Sequence, residues 1–217
     1  MNTKIFLMVM YLAPYMQLNA MQQQDNQPAK PCHKFVLTGG PGVGKSTIIN
    51  LLQENGHQTR PEVWTSLYQE AKSNNTLAEF STESSSPAFR QKIIGLQLSH
   101  EGSLEKNSCA FLDRSAVDHV AFGNLYNIPM SESITDLPKT HRYDLVFLLE
   151  PLPAELYDKP KELNCSQETS IMIHQHLKKS YQEYGYSLIN VPFSSPETRM
   201  AFILKTVITW LERNKSL

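Results

Sequence analysis

Cysteine is scarce in this 217-residue chain, which holds three: Cys32, Cys109 and Cys165. The count is odd, the spacings are wide and no C-x-x-C pair occurs, so neither a disulfide framework nor a zinc site is indicated. Cys109 lies in an apolar run and reads as a small buried hydrophobe. A dominant charge is missing too. Lys and Arg number 20 against 21 Asp and Glu, for a net charge of −1 and a pI near 6.7. That removes any general electrostatic case for nucleic acid or an anionic membrane as partner. No apolar run is long enough for an ordinary transmembrane helix, and no internal repeat is visible. Histidines with ligand spacing are also missing. His174 and His176 are two apart on an expected helix and cannot share a face, and His57, His100, His119 and His141 stand alone. What is left, 41% hydrophobic and 19% charged, suits one globular α/β domain with a full core.

Glycine is sparse as well, with nine residues, yet four of them stand at 39, 40, 42 and 44. The run Gly39-Gly40-Pro41-Gly42-Val43-Gly44-Lys45-Ser46 matches the phosphate-loop pattern G-x-x-x-x-G-K-[ST] without a mismatch. Lys34–Thr38 reads as a buried strand before it, and Ser46–Leu52 as a helix after it. Small residues let backbone N–H groups turn inward around phosphates, and the helix N-terminus adds a positive dipole end. Residues 39–47, through Thr47, are therefore expected to bind a nucleoside triphosphate. Lys45 would reach the β/γ-phosphates, and Ser46 would place its hydroxyl on Mg²⁺.

The N-terminus poses a separate problem. Lys4 precedes the apolar run Ile5–Ala13, which Pro14 breaks, and Leu18-Asn19-Ala20 ends in a small residue. Residues 1–20 resemble a secretory signal peptide, and 21–33 read as a polar, disordered lead-in. An ATP-dependent domain needs a compartment that contains ATP, and Met21 offers a second start. The cytoplasm is the expectation, with export or membrane tethering through residues 1–20 as the alternative.

From residue 34 to 213 strand-like and helix-like segments alternate, the pattern of a parallel sheet covered by helices on both faces. Strands are expected at 34–38, 57–60, 109–113, 143–149 and 186–191. Helices are expected to Glu54, from Pro61 to about Lys72, from Pro87 to about Lys106, over 114–127, through 173–184, and from Pro196 to Arg213. Residues 73–75, 81–86 and 150–167 read as loops, and 127–140 as irregular with a short helix. Tyr181 and Tyr184 read as core rather than as a stacking platform.

Two strands end in an acid that could support a metal shell: Phe111-Leu112-Asp113 and Leu148-Leu149-Glu150. Asp113 is favoured because Arg114 follows it, and both would sit at a strand's carboxyl end, facing the ligand crevice. Asp113 would serve the metal and Arg114 would clamp a substrate or phosphate. The competing reading makes Asp113 a helix N-cap and leaves Arg114 exposed. Glu62, after Arg60-Pro61, could accept a proton from a substrate hydroxyl, or could simply be a first-turn glutamate that suits the helix dipole.

Taken in order, these motifs resemble the NadR/Ttd-type AAA-like domains, small P-loop proteins near the ribosylnicotinamide kinases and other nucleoside kinases. The resemblance runs from Phe35 to about Ile203. It rests on Leu37–Thr47, Arg60-Pro61-Glu62, Phe111-Leu112-Asp113-Arg114, Arg142–Leu149, Tyr181–Tyr186, Val191-Pro192 and Glu197-Thr198-Arg199. It implies a three-layer P-loop NTPase fold with a five-stranded parallel sheet in the order 2-3-1-4-5. It implies nucleotide and Mg²⁺ at Lys45 and Ser46, metal and substrate at Asp113 and Arg114, and a catalytic acid position at Glu62. Such kinases usually carry arginines in a lid after the fourth strand, whereas residues 151–166 offer only Lys159 and Lys161.

The expected activity is transfer of the γ-phosphate of Mg-ATP to a hydroxyl of a small, nucleoside-type acceptor. The alternative is a nucleotide-dependent regulatory or binding protein with little turnover, since some members of the resembled group bind GTP and lipids. A motor-type AAA+ ATPase fits less well, because the chain lacks room for a helical lid domain. No N-K-x-D motif supports guanine selectivity, so ATP is the default and GTP stays open. No nucleic-acid partner is expected, and a membrane enters only through the leader if it is retained.

Overall fold

The computed structural model describes residues 30–157 and 165–214. The expected leader, most of the lead-in, and the lid lysines Lys159 and Lys161 lie outside the described residues. Five strands form one parallel sheet: β1 (His33–Thr38), β2 (Gln58–Arg60), β3 (Cys109–Asp113), β4 (Leu145–Leu149) and β5 (Leu188–Val191), in the order β2-β3-β1-β4-β5. The register sets Leu37 beside Asp113, Thr38 beside Leu148 and Arg60 beside Leu112. The carboxyl ends of the central strands therefore open on one edge, where parallel α/β sheets bind ligands.

Both faces of the sheet are covered, which is why the strands are near-continuous apolar runs. One face packs α1 (Lys45–Glu54) and α9 (Pro196–Asn214) over Phe35, Leu37, Phe111, Phe147 and Leu149. The other packs α5 (Ala116–Leu125) and α8 (Gln167–Glu183) over Val36, Leu112 and Val146, with Tyr181 fully buried. The period-2 alternation along β1 and β3 produces this split. A third apolar cluster joins α2 (Val63–Ser73), α3 (Leu77–Glu83) and α4 (Pro87–Gly102) near the β2 edge. The short α6 (Glu132–Thr135) and α7 (Leu137–Thr140) precede β4. Among the described residues no helix is long and apolar enough to cross a membrane.

Side-chain caps mark the starts of α4, α5 and α8. Ser86 accepts from the Phe89 N–H, with Pro87 at the first helical position of α4. Ser115 and Asp118 form a capping box on α5. Several expected limits shift, three of them for a visible reason. Residues 81–83, expected in a loop, close α3, because Phe80 packs edge-on against Trp64, Tyr68 and Phe89 and holds one more helical segment. The helix expected from Pro61 begins at Val63, since Glu62 is the extended N-cap residue. The helix expected to reach Lys106 stops at Gly102, where Leu104 turns inward and is buried.

Candidate functional site

The loop between β1 and α1 is held open by its glycines. Gly44 has φ 90° and caps α1 in the left-handed region, where a β-carbon is strained. Gly40 is required for another reason: a Cβ there would stand 2.3 Å from the Ser170 carbonyl oxygen on α8. Ser170 Oγ also donates to the Pro41 carbonyl at 2.5 Å, so α8 is keyed to the loop. Val43 points into the core and anchors the loop from beneath.

Lys45 is buried. Its Nζ donates to the carbonyls of Gly39 at 3.2 Å and Gly40 at 3.0 Å. Burial lowers its pKa to about 8, and the Arg114 charge adds to the effect, against the attraction of Asp113, Glu62 and Asp118. Ser46 Oγ donates to Asp113 Oδ2 at 2.7 Å. Asp113 Oδ1 is buried without a partner among the described residues. Burial raises the Asp113 pKa to about 6, with Glu62 pushing the same way and Lys45, Arg114 and the Ser46 hydrogen bond opposing. A hydroxyl and a carboxylate 2.7 Å apart, one carboxylate oxygen orphaned, fit a hard oxygen-seeking cation such as Mg²⁺.

Arg114 is not exposed. It is buried, with φ 71°, a strained conformation of the kind that collects at functional sites. Its Nε donates to Glu62 Oε1 at 2.5 Å, and its Nη1 donates to Asp118 Oδ1 at 3.2 Å and to the Gly39 carbonyl at 3.3 Å. Nε and Nη1 are thus held by two carboxylates and the phosphate loop, and Glu62, Asp118 and Asp113 raise the pKa despite burial. The reading of Asp113 as N-cap fails for the same stretch, because Ser115 caps α5 instead.

Glu62 is oriented from two sides, accepting from Arg114 and from Thr65 Oγ1 at 3.0 Å. Burial raises its pKa, but Arg114, Lys45, the Thr65 hydrogen bond and His119 outweigh it and hold the carboxyl below its ordinary value. Glu62 therefore stays ionised at neutral pH.

Several residues with a part in the site were not singled out from the sequence. Asp118 is fully buried and accepts from Thr38 Oγ1 at 2.6 Å, the Ser115 N–H at 3.0 Å and the Tyr181 hydroxyl. The signal for it was Ser115-x-x-Asp118 directly after Asp113-Arg114. Arg199, quoted above without a role, is buried at the start of α9. It donates to the carbonyls of Val43 at 2.7 Å and Glu150 at 2.9 Å, joining the phosphate loop to the end of β4.

The phosphate loop stands between two cavities. The larger, about 440 Å³, touches Pro41 and is walled by Glu62, Arg114, Trp64, Phe122 and Arg90. The smaller, about 280 Å³, borders Gly44 and Thr47 and is closed by Leu152, Phe193, Ser195 and Arg199. The loop thus borders two separate cavities.

A sequence profile described as the AAA domain matches residues 34–199. Similar solved structures include NadR protein in complex with NR, at 15% identity and TM-score 0.59 over 82% of this chain and 51% of that one. NadR protein in complex with NAD and AMP-PNP is similar at 16% identity and TM-score 0.56, over 83% and 50%. Deoxyadenosine kinase from M. mycoides with bound dATP is similar at 15% identity and TM-score 0.51, over 80% of this chain and 98% of that one. The chain thus spans about half the length of the NadR structures. No curated protein matches the sequence.

Proposed function

The chain belongs to the AAA domain family, and from that premise we propose that it is a P-loop kinase that transfers the γ-phosphate of ATP to a hydroxyl of a small acceptor. The observation that carries this reading is the position of Glu62. It is an ionised carboxylate on the wall of the larger cavity, in the same hydrogen-bonded group as the phosphate loop. The likeness to NadR and to deoxyadenosine kinase supports the choice of kinase over other P-loop chemistries.

In this proposal the triphosphate lies on residues 39–47 and the base enters the smaller cavity beside Phe193 and Arg199. Lys45 would leave the Gly39 and Gly40 carbonyls and meet the β/γ-phosphates. Ser46 and Asp113 would hold Mg²⁺, which supplies neutralisation of phosphate charge when bound. The acceptor hydroxyl lies against Glu62. As its oxygen bonds to the γ-phosphorus, the bond from that phosphorus to the β,γ-bridging oxygen breaks, ADP leaves, and the hydroxyl proton passes to Glu62. A depressed pKa makes Glu62 a weak base. That suits a loose phosphoryl transfer, in which orienting the nucleophile matters more than early deprotonation. Arg114 acts on the chemistry through Glu62, as a positioning residue.

The test is nucleotide consumption by the full chain with Mg-ATP and Mg-GTP, with and without a panel of nucleosides that includes nicotinamide riboside. Consumption that rises only with an acceptor, and is lost in Lys45→Ala, supports the kinase. Tight nucleotide binding with no acceptor-stimulated turnover would sink it. A second reading, a nucleotide-gated binding protein, draws on the Ser170 to Pro41 contact, through which loop occupancy would reach α8. It requires Lys45→Ala to lose partner binding.

A further inference from the structure

The wall of the larger cavity carries a charge that no described carboxylate answers. Arg90 lies in the first turn of α4 and is 6% exposed. Its Nε is buried without a partner, and among the described residues its guanidinium makes no hydrogen bond or ion pair. Among the described residues that line the cavity the one carboxylate, Glu62, pairs with Arg114. A buried unpaired cation is costly. The position makes it worse, because a cation near a helix N-terminus opposes the macrodipole, and the first turn of α4 holds no acid. A residue serving stability alone would not be a buried arginine here.

The surroundings suit an anion. The α4 N-terminus contributes its positive end, and Ser84 and Ser85 border the cavity just before it. His119, 1% exposed, lines the same cavity, its Nε2 unpartnered among the described residues. Burial lowers its pKa to about 4, so it is neutral at pH 7 and able to donate one N–H. Trp64, Phe122 and Tyr126 supply aromatic lining to the same cavity.

We propose that the acceptor of this site is an anionic molecule, carrying a carboxylate or phosphate that Arg90 binds while its hydroxyl lies at Glu62. The inference rests on the larger cavity being the acceptor's. It predicts discrimination against cationic acceptors such as nicotinamide riboside, whose charge would face Arg90.

The test uses probes rather than a presumed substrate. Binding of benzoate, phenyl phosphate and neutral benzamide to the full chain is measured by calorimetry, for wild type, Arg90→Gln and Lys45→Ala. The expected result is that at least one anion binds and benzamide does not. Arg90→Gln should then weaken that anion by about tenfold or more, and Lys45→Ala should leave it in place. Preference between benzoate and phenyl phosphate identifies the anion. Equal binding of benzamide and benzoate, anion affinity unchanged in Arg90→Gln, anion affinity lost in Lys45→Ala, or no binding of either anion overturns the proposal. Thermal unfolding without probe is a second check. Removing an unpaired buried charge with Arg90→Met should raise the midpoint, and a fall of several degrees would mean that Arg90 has a structural partner. Mg-ATP affinity, measured on the same proteins, separates the two failures: lost nucleotide binding in wild type counts against the kinase, not against the anion site.

Discussion

Ser46 donates its hydroxyl to one oxygen of Asp113 at 2.7 Å, and the other oxygen of that carboxylate is buried with nothing to accept from among the described residues. The two residues are 67 positions apart and meet because β1 and β3 are neighbours whose carboxyl ends coincide. Asp113→Asn is expected to reduce Mg-dependent nucleotide affinity by an order of magnitude or more, while affinity in EDTA changes little. Calorimetry with and without Mg²⁺ checks this, and an equal loss in both conditions would remove Asp113 from the metal site.

The same residue predicts a pH dependence. Folding raises its pKa from 3.8 to about 6, so the folded state binds more protons than the unfolded one between those values. Stability from this group therefore falls as pH rises through that window. Asp113→Asn removes the effect, so its melting temperature relative to wild type should rise from pH 4 to pH 6.5. A constant difference would contradict the raised pKa.

Glu62→Gln should cut phosphoryl transfer by about a hundredfold or more and leave nucleotide binding nearly intact. It also removes one of the two carboxylates on buried Arg114, at a cost of about 3 kcal/mol of stability. Denaturant unfolding and steady-state rates read the two effects separately. Full activity in this variant would make Glu62 structural.

Tyr181→Phe deletes the hydroxyl that joins Asp118 and Ser115 beneath the loop. Loss of about 1–3 kcal/mol is expected for a buried carboxylate deprived of one donor, measured by urea titration. An unchanged midpoint would mean that Thr38 and Ser115 suffice.

Two glycines should respond in opposite directions. Gly40→Ala drives a methyl into the Ser170 carbonyl at 2.3 Å and should cost about 1–3 kcal/mol. Gly95→Ala lies within α4 with nothing within 4 Å of the new methyl and should gain about 0.5–1 kcal/mol. Thermal melts of both variants are the measurement, and a stabilised Gly40→Ala would show that α8 does not press on the loop.

Much of this architecture was legible in the chain, because the signals are local. The phosphate loop is contiguous, the apolar runs of β1, β3 and β4 mark buried parallel strands, and Pro87, Asn55-Gly56 and Gly185 mark helix limits. The strand order came from resemblance, and the sheet has it. Helix α3 was missed because its one buried anchor, Phe80, is held by aromatic rings from α2 and α4, and no local period reports that contact.

Composition and spacing by themselves determined the α/β class, the glycine-rich loop between strand and helix and the acids at strand ends, since each depends on neighbours within a few residues. Only the tertiary structure decided what the charged groups do. Arg114 pairs with Glu62 and Asp118, Arg199 ties the loop to β4, and Arg90 faces a cavity with no acid paired to it among the described residues. A side chain's charge, burial and partner are set by distances across the fold, and Coulomb and desolvation energies change steeply over a few ångströms. Residue order along the chain carries no such distances.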